Sequence, residues 1–361
     1  MLKNYHIVII ANSGRMIAQM AKKAGYNVIV IDCFSDADTQ ALTVECIKVD
    51  SLALEHIKPA VSILQSRFEL LFAIIGSGFE CYLPSLNYLH QKLKVLGNKP
   101  SVFSSVQNKR HFFSTLEQLK ISFPETSFQR PELKDGWLVK PMEGEGGKGV
   151  KKFTGLMKKN EGYYWQRFIN GVPLSVLFIA NSTNFKVCGF HKQQVISINN
   201  SEFIFSGVIS YPDISDEIKR QLNSWIFSLV KAFGLVGLNS VDFMLENNQC
   251  YVLEVNPRAS ASMQLYGSEL IDGHINSCLD KLLDIKINLE EFSAYQIIFA
   301  ETNLIITKNI QWPKWIADIP QEGLLINTGM PICSIIARGK SEQQVLDKLL
   351  LRQQLVQKLI K

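Results

Sequence analysis

The sequence predicts an α/β protein with a parallel sheet at its amino end and a β-rich middle region. Two observations support this prediction. Up to about residue 78, short β-branched apolar runs alternate with an amphipathic segment, an order typical of right-handed parallel crossovers. From Trp137 to about Gly207, short β-branched runs are instead separated by glycines and by Asn, Ser and Thr clusters. The second pattern predicts a small β-rich subdomain with a mobile loop.

The amino-terminal elements follow from apolar runs and their boundaries. The continuous runs at 7–10, 28–31 and 71–75 predict strands that are buried on both faces. Apolar positions from Met16 to Ala24 have helical spacing, and Gly25 is a suitable helix end. Strands and helix together form the α/β domain that we place at residues 1–98.

The same kinds of pattern predict the later elements. A helix is predicted from Ser215 to Phe233, followed by strands at 240–245 and 251–255 that a polar turn joins into a hairpin. The last seventy or so residues begin with a β-rich stretch and end in a charged helix from Ser341. We therefore predict a second domain at 99–290, whose β-rich lid spans about 135–207, and a small β-rich extension with a terminal helix at 291–361.

Composition excludes several classes of protein. Of 361 residues, 47% are hydrophobic and 20% charged, so most of the chain can form a folded core. A net charge of +5 is too small for a dedicated nucleic-acid binder, although it favours an anionic small-molecule ligand. Seven scattered cysteines without a C-x-x-C pair indicate reduced thiols in the cytoplasm, without a zinc site. The charge-free stretch at 168–185 is interrupted by Asn170, Gly171 and Pro173, so no membrane span is predicted.

A glycine-rich segment is the strongest functional signal. It follows the predicted strand that ends at Lys140, and it comprises Gly144, Glu145, Gly146, Gly147, Lys148 and Gly149. Glycines leave backbone N–H groups open to phosphate oxygens, and Lys140 can add a positive charge beside them. The spacing matches neither a Walker A motif nor a dinucleotide fingerprint. A solvated hairpin tip would explain the glycines equally well if this segment stood alone.

A second group of residues lies on the predicted hairpin. Glu254 and Asn256 point to one face of their strand, and Asp242 lies on the partner strand. Two carboxylates and an amide oxygen are hard ligands, which suit Mg²⁺ bound to nucleotide phosphates. Arg258 follows with a planar group for an oxyanion. A salt-bridged surface hairpin is the alternative, and the glycine-rich segment makes it the weaker one.

The order of these motifs resembles the ATP-grasp superfamily over about residues 1–285. The resemblance implies the ATP-grasp fold with an amino-terminal pre-ATP-grasp domain, and an enzyme of EC 6.3 type that uses ATP and Mg²⁺. Asp242, Glu254 and Asn256 resemble the family's metal ligands, and the catalytic residues would be Lys140 and Arg258. The other nucleotide-binding positions implied are Lys109, the glycine-rich segment from Gly144 to Gly149, Gln166, Arg167, Phe168, Ile169, Ser175 and Lys192.

Two turns of the first domain and one segment after the hairpin are implied to bind substrate. The residues are Ser13, Gly14, Arg15, Gly78, Glu80, Arg258 and Ser260. Capping and solvated-surface roles remain alternatives for the amino-terminal positions. Two departures stand out, because Asp242 occupies a position that commonly holds glutamate, and Gln166 one that is often acidic. Members of this family are frequently dimers, which makes a homodimer an expectation.

A narrower resemblance concerns the segment 258–262 and the tail around 318–320 and 329–333. It is to predicted carboxylate–amine ligases of archaea and methylotrophic bacteria, similar to tyramine–glutamate ligase. This branch implies joining of a carboxylate such as glutamate to an amine, through an acylphosphate, in synthesis of a C1-carrier cofactor. A small-molecule kinase and a non-catalytic ATP sensor on the same scaffold remain the alternatives.

Overall fold

The computed structural model describes residues 6–132, 135–155, 161–199, 201–211, 213–281, 285, 287 and 291–360. These residues form a five-stranded sheet, a four-stranded sheet, an eight-stranded sheet and a short two-stranded ribbon. Within them, no helix combines the length and apolar character needed to cross a membrane.

The five-stranded sheet is parallel and belongs to the amino-terminal domain. Its strands run in the order β3-β2-β1-β4-β5. Their bounds are β1 His6–Ile10, β2 Asn27–Asp32, β3 Glu45–Lys48, β4 Leu70–Ile75 and β5 Val95–Leu96. The predicted parallel sheet is therefore confirmed.

Helices cover both faces of this sheet. They are α1 Arg15–Lys23, α2 Ala37–Leu42, α3 Leu54–Arg67 and α4 Leu83–Lys92. Side chains of a strand alternate between faces, so Ile7 and Ile9 pack in the core on the α1 side, whereas Val8 and Ile10 pack against α3 and α4. Burial on both faces explains why these strands are continuously apolar.

The four-stranded sheet is the smaller unit that the sequence predicted as a lid. Its order is β6-β9-β7-β8, with β6 Thr126–Ser127, β7 Trp137–Pro141, β8 Lys151–Lys152 and β9 Tyr163–Arg167. Trp137, Val139, Phe153 and Trp165 form its own small core. This sheet ends at Arg167, so the predicted lid at 135–207 extends too far. The strands between residues 172 and 210 belong to the eight-stranded sheet instead.

The eight-stranded sheet runs in the order β14-β13-β10-β11-β12-β15-β19-β17. Its strands are β10 Val172–Asn181, β11 Phe185–Ile198, β12 Ser201–Ser210, β13 Val236–Glu246, β14 Gln249–Asn256, β15 Phe292–Phe299, β17 Ile316–Ala317 and β19 Pro331–Gly339. The remaining strands, β16 Leu304–Ile305 and β18 Leu325–Ile326, form the ribbon. Because β15 pairs with β12 through Val208↔Tyr295, the β-rich carboxy-terminal extension continues the large sheet.

Five further helices complete the described chain. They are α5 Pro100–Gln107, α6 Lys109–Gln118, α7 Asp216–Phe233, α8 Glu269–Cys278 and α9 Glu342–Leu359. Ser215 caps α7 by accepting a hydrogen bond from the Ile218 amide, and Ser341 caps α9 in the same way. The predicted helices at these two places are therefore present. The hairpin is present too, and Asn247 and Asn248 have positive φ at its turn.

Two buried polar side chains join the amino-terminal domain to the large sheet. Asn98 accepts a hydrogen bond from the Val236 amide and donates to Asn239 and to the Pro257 carbonyl. His274 accepts from the Leu238 amide through Nδ1 at 2.9 Å, and its Nε2 lies 3.1 Å from the Leu96 carbonyl oxygen. An imidazole that accepts at one nitrogen must be neutral. Burial lowers the pKa of His274 to about 4.

We predict that His274 makes the protein less stable as the pH falls from about 6.5 to about 4. In that window the unfolded state binds a proton that the folded state excludes, so the free energy of unfolding falls by up to about 1.4 kcal/mol per pH unit. His274→Gln removes this contribution and flattens the curve, as measured by urea unfolding at several pH values. The exposed His111→Gln is the control, since hydration of its side chain changes little on unfolding. An unchanged slope in His274→Gln would contradict the prediction.

Candidate active site

One cavity of about 860 Å³ lies where the three main units meet. Its walls come from the amino-terminal turns, the glycine-rich segment, the middle of the large sheet and the carboxy-terminal segment around Asp318 and Gly329–Ser334. This volume is near the upper end of the usual range for small-molecule sites. Two substrates can therefore share it.

Two carboxylates face each other on the hairpin that forms one wall. Asp242 pairs with Glu254 in the β13–β14 register, and Asn256 Nδ2 donates to Asp242 Oδ2 at 3.3 Å. Burial and the neighbouring Glu254 charge raise the pKa of Asp242 to about 7. A divalent cation would relieve this repulsion, so the donor set fits Mg²⁺. Among the described residues no cluster of three or more Asp, Glu, His or Cys side chains suits a metal, which leaves the remaining ligand positions to water and phosphate.

Two lysines approach this pair from other elements. Lys109, at the start of α6, is 7% exposed, and its Nζ lies 3.9 Å from Glu254 Oε2. Lys140, on β7, donates a hydrogen bond to Gln166 Oε1 at 2.6 Å, and Gln166 Nε2 donates to Thr126. Burial lowers the pKa of Lys140 to about 8. The positive charge of Lys109 also lowers this pKa, whereas the negative charge of Glu254 raises it. Gln166 therefore orients Lys140 without neutralising its charge. An acidic residue at this position would neutralise it.

The glycine-rich segment is folded over β12. Gly144, Gly146, Gly147 and Gly149 all have positive φ, which side chains rarely adopt. The Gly146 carbonyl accepts from the Phe205 amide at 3.0 Å, and a Cβ on Gly147 would lie 1.7 Å from the Phe203 carbonyl oxygen. Glycine is thus required at 147 for the segment to lie against β12 in this way.

The predicted hinge also lines the cavity. Gln166, Arg167, Phe168 and Ile169 all contribute to its wall, together with Ser175 on β10. Arg167 stacks over Trp137 at 4.8 Å and pairs with Glu125, while the Phe168 amide donates to the Gly136 carbonyl. These contacts fix the connection between the small and large sheets.

Arg258 bridges the hairpin to the amino-terminal domain. Its Nε donates to Glu80 Oε1 at 2.5 Å, and its Nη2 donates to Asn256 Oδ1 at 3.4 Å. Glu80 also accepts from the Gly78 amide at 2.9 Å. Although burial alone would raise it, the pKa of Glu80 is lowered because Arg258 holds the carboxylate ionised. Arg258 lines the cavity, whereas Gly78 and Glu80 lie outside its wall and hold Arg258 in place.

The first turn of the protein contributes Ser13 and Arg15 to the cavity, and Ser260 lies in the same wall. Gly14 has another role, because its amide donates to Asp32 Oδ2 at 3.0 Å and a Cβ there would meet Val30. Arg15 is 1% exposed and donates to Asp318, Gln19 and Gln264. Its guanidinium is therefore already engaged by protein groups.

One predicted nucleotide contact is placed elsewhere. Lys192 Nζ donates to Glu342 Oε1 at 3.1 Å, which ties β11 to α9. Neighbouring residues of a strand face opposite sides, so the next residue, Gln193, lines the cavity and hydrogen bonds to Asp242. The signal that could have identified Gln193 is side-chain alternation along β11, which places Gln193 and Lys192 on opposite faces of the strand.

Residues 106–262 match the model of the ATP-grasp domain. Over 258 residues the chain is 24% identical to an uncharacterized protein of Methanocaldococcus jannaschii, and the match covers 68% of this chain but only 64% of that protein.

Solved structures agree with the fold over nearly the whole chain. The N5-carboxyaminoimidazole synthetase of Staphylococcus aureus complexed with ADP has a TM-score of 0.71 at 17% identity, covering 97% of each chain. The L-amino acid ligase of Bacillus licheniformis has a TM-score of 0.69 at 16% identity, covering 96% of each chain.

In the same cavity, the glycine-rich segment and the carboxylate pair of the hairpin are both wall residues. Residues 106–262 form an ATP-grasp domain. The predicted fold class is confirmed, and ATP with Mg²⁺ are the cofactors of ligases in this family.

We predict that Gly147→Ala separates the glycine-rich segment from β12, because the new methyl group would collide with the Phe203 carbonyl. Loss of the Phe205–Gly146 hydrogen bond should speed amide exchange at Phe205 about fivefold, as measured by hydrogen–deuterium exchange. Gly146→Ala is the matched control, because its φ is also positive but its Cβ would meet nothing within 4 Å. Equal exchange in both variants would show that the collision is relieved without undocking.

Proposed function

We propose that this protein is an ATP-dependent ligase that joins a carboxylate to an amine through an acylphosphate, releasing ADP and phosphate. The observation that carries the proposal is the distribution of charge in one cavity. Lys109, Lys140 and Arg258 approach a carboxylate pair that is itself suited to Mg²⁺. Two anions, ATP and a carboxylate, can approach each other only where such cations screen their repulsion.

Each residue of the cavity has a separate task in this reaction. Lys109 and Lys140 hold phosphate oxygens, and the open amides of the glycine-rich segment bind the same group. Asp242, Glu254 and Asn256 would hold Mg²⁺, which when bound neutralises the phosphates. Positioning and electrostatics supply most of the catalysis, so no general base is assigned.

Arg258 is the residue that we expect to meet the reacting carboxyl group. Its planar guanidinium can stabilise the oxyanion that forms when the amine attacks. Glu80 holds Nε of this guanidinium, and Nη1 and Nη2 remain directed to Ala259, Asn256 and the cavity. Closure of the glycine-rich segment would exclude water, which could otherwise hydrolyse the acylphosphate.

The finer predictions from the sequence remain proposals. These are a role in synthesis of a C1-carrier cofactor, an amino acid such as glutamate as the carboxylate, a homodimer and a cytoplasmic location. The L-amino acid ligase among the structural neighbours supports an amino acid substrate by analogy of fold. Seven free cysteines support a reducing compartment.

We predict that Glu254→Gln abolishes ADP formation, a loss of about a hundredfold or more, while circular dichroism and thermal unfolding stay close to wild type. The amide retains the shape of the carboxylate and removes the charge that a divalent cation requires. Glu117→Gln, on the exposed side of α6, is the control and should keep full activity. Turnover retained in Glu254→Gln would argue against the proposal.

The reaction itself is tested with Mg-ATP and a pool of amino acids, other carboxylates and amines. Pool-dependent ADP release, with a product mass equal to two components minus water, is the expected result. A phosphorylated component without an amine requirement would indicate the small-molecule kinase. Binding of Mg-ATP without turnover for any pool would favour the sensor.

A further inference from the structure

Four aspartates surround Arg15 at the end of the cavity formed by the amino-terminal turns. They are Asp32, Asp36, Asp38 and Asp318. Among the described residues, Arg15 is the cation that forms ion pairs with them, so this end is more acidic than the end with Lys109, Lys140 and Arg258. A buried carboxylate is stable only when it is hydrogen-bonded, paired or protonated. The four carboxylates differ in the partners that they have.

Three of these carboxylates are engaged by the protein. Asp32 accepts from the amides of Gly14 and Ser35, at 3.0 and 2.7 Å. Asp38 accepts from the amides of Asp318 and Ile319, at 3.0 and 2.9 Å. Asp318 forms the ion pair with Arg15, at 2.8 Å.

Asp36 differs from the other three. Its side chain is 7% exposed and lines the cavity, yet it has no hydrogen bond or ion pair among the described residues, not even as the cap of α2. Burial, followed by the charges of Asp318 and Asp38, raises the pKa of Asp36 to about 8. A carboxylate in this position is unfavourable unless a positively charged ligand approaches it from the cavity.

We propose that Asp36 binds an ammonium group of the amine substrate other than the nitrogen that attacks, so that this end of the cavity selects cationic amines and rejects phosphorylated ones. The inference rests on the proposed ligase function. A divalent cation is a poorer occupant, because it requires several oxygen ligands and three of the four carboxylates are already engaged. An anionic substrate group would meet the Asp36 carboxyl group here, and a guanidinium that already donates to Asp318, Gln19 and Gln264.

Binding of simple probes tests the charge preference without knowledge of the natural substrate. Alkyl amines from ethyl to hexyl are compared with the corresponding alcohols and phosphates, using the full chain loaded with Mg²⁺ and a non-hydrolysable ATP analogue. Ligand-observed NMR titration gives the affinities. We expect at least one amine to bind about tenfold tighter than its alcohol, and the phosphates to bind most weakly at this end. No preference for any amine, or competition by Mg²⁺ alone, would overturn the proposal.

Asp36→Asn is the decisive variant, because asparagine keeps the shape and the capping ability of aspartate. It should abolish the amine preference while binding of the ATP analogue stays within about twofold of wild type. Asp50→Asn, at an exposed position of the same domain, is the control and should retain the preference. An amine preference that survives Asp36→Asn would overturn the proposal.

Stability of the same variant gives a second, independent readout. If Asp36 is kept for a ligand, the ligand-free Asp36→Asn protein should melt at the same temperature or higher than wild type at pH 9, since an unpaired buried charge is removed. A lower melting temperature would mean that Asp36 has a structural partner, which would overturn the proposal. Failure of the ligase function appears separately, as absence of ADP release in the wild type, and leaves the charge preference measurable.

Discussion

Two carboxylates that face each other across one hairpin impose the constraint on which the rest of the cavity depends. The antiparallel register of β13 and β14 places Asp242 opposite Glu254, so each carboxylate lies in the electrostatic field of the other. Lysines from α6 and β7 partly compensate this charge, and they are themselves partly buried. Each group is unfavourable alone, and the set becomes favourable when phosphates and a divalent cation complete it. The affinity of such a site for phosphates and a divalent cation comes from charges that the protein alone neutralises only in part.

Arg258 shows how the amino-terminal domain takes part in the same site. Its hydrogen bond to Glu80 crosses from the hairpin to the turn after β4, and Glu80 is in turn fixed by the Gly78 amide. A displacement of that turn would therefore move the guanidinium. Arg258 therefore links the position of the turn after β4 to that of the hairpin.

The sequence predicted the elements well and their assembly less well. Continuous apolar runs indicated β1, β2 and β4, and side-chain alternation placed Asp242 and Glu254 on one face of the hairpin, because these patterns depend on local geometry. The partner of β12 could not be predicted. Its pairing with β15 joins residues more than eighty positions apart, and no local pattern records such a contact. The same limit explains Lys192, whose partner Glu342 lies at the far end of the chain. Arg15 was identified as a site residue, but its engagement by Asp318 depends on a contact between segments 303 positions apart.

That contact also bears on how the protein folds. The first α/β unit has all five strands within residues 6–96, but the core on its α1 side is completed by the large sheet and α8. When that unit has been synthesised, two partners of Arg15, Gln264 and Asp318, still have to follow. Folding during synthesis is usually faster than elongation, so the early domain would wait with an incompletely neutralised guanidinium until the late segment arrives. The Arg15–Asp318 ion pair therefore forms late, and it joins the first helix of the chain to a segment near its carboxy-terminal end.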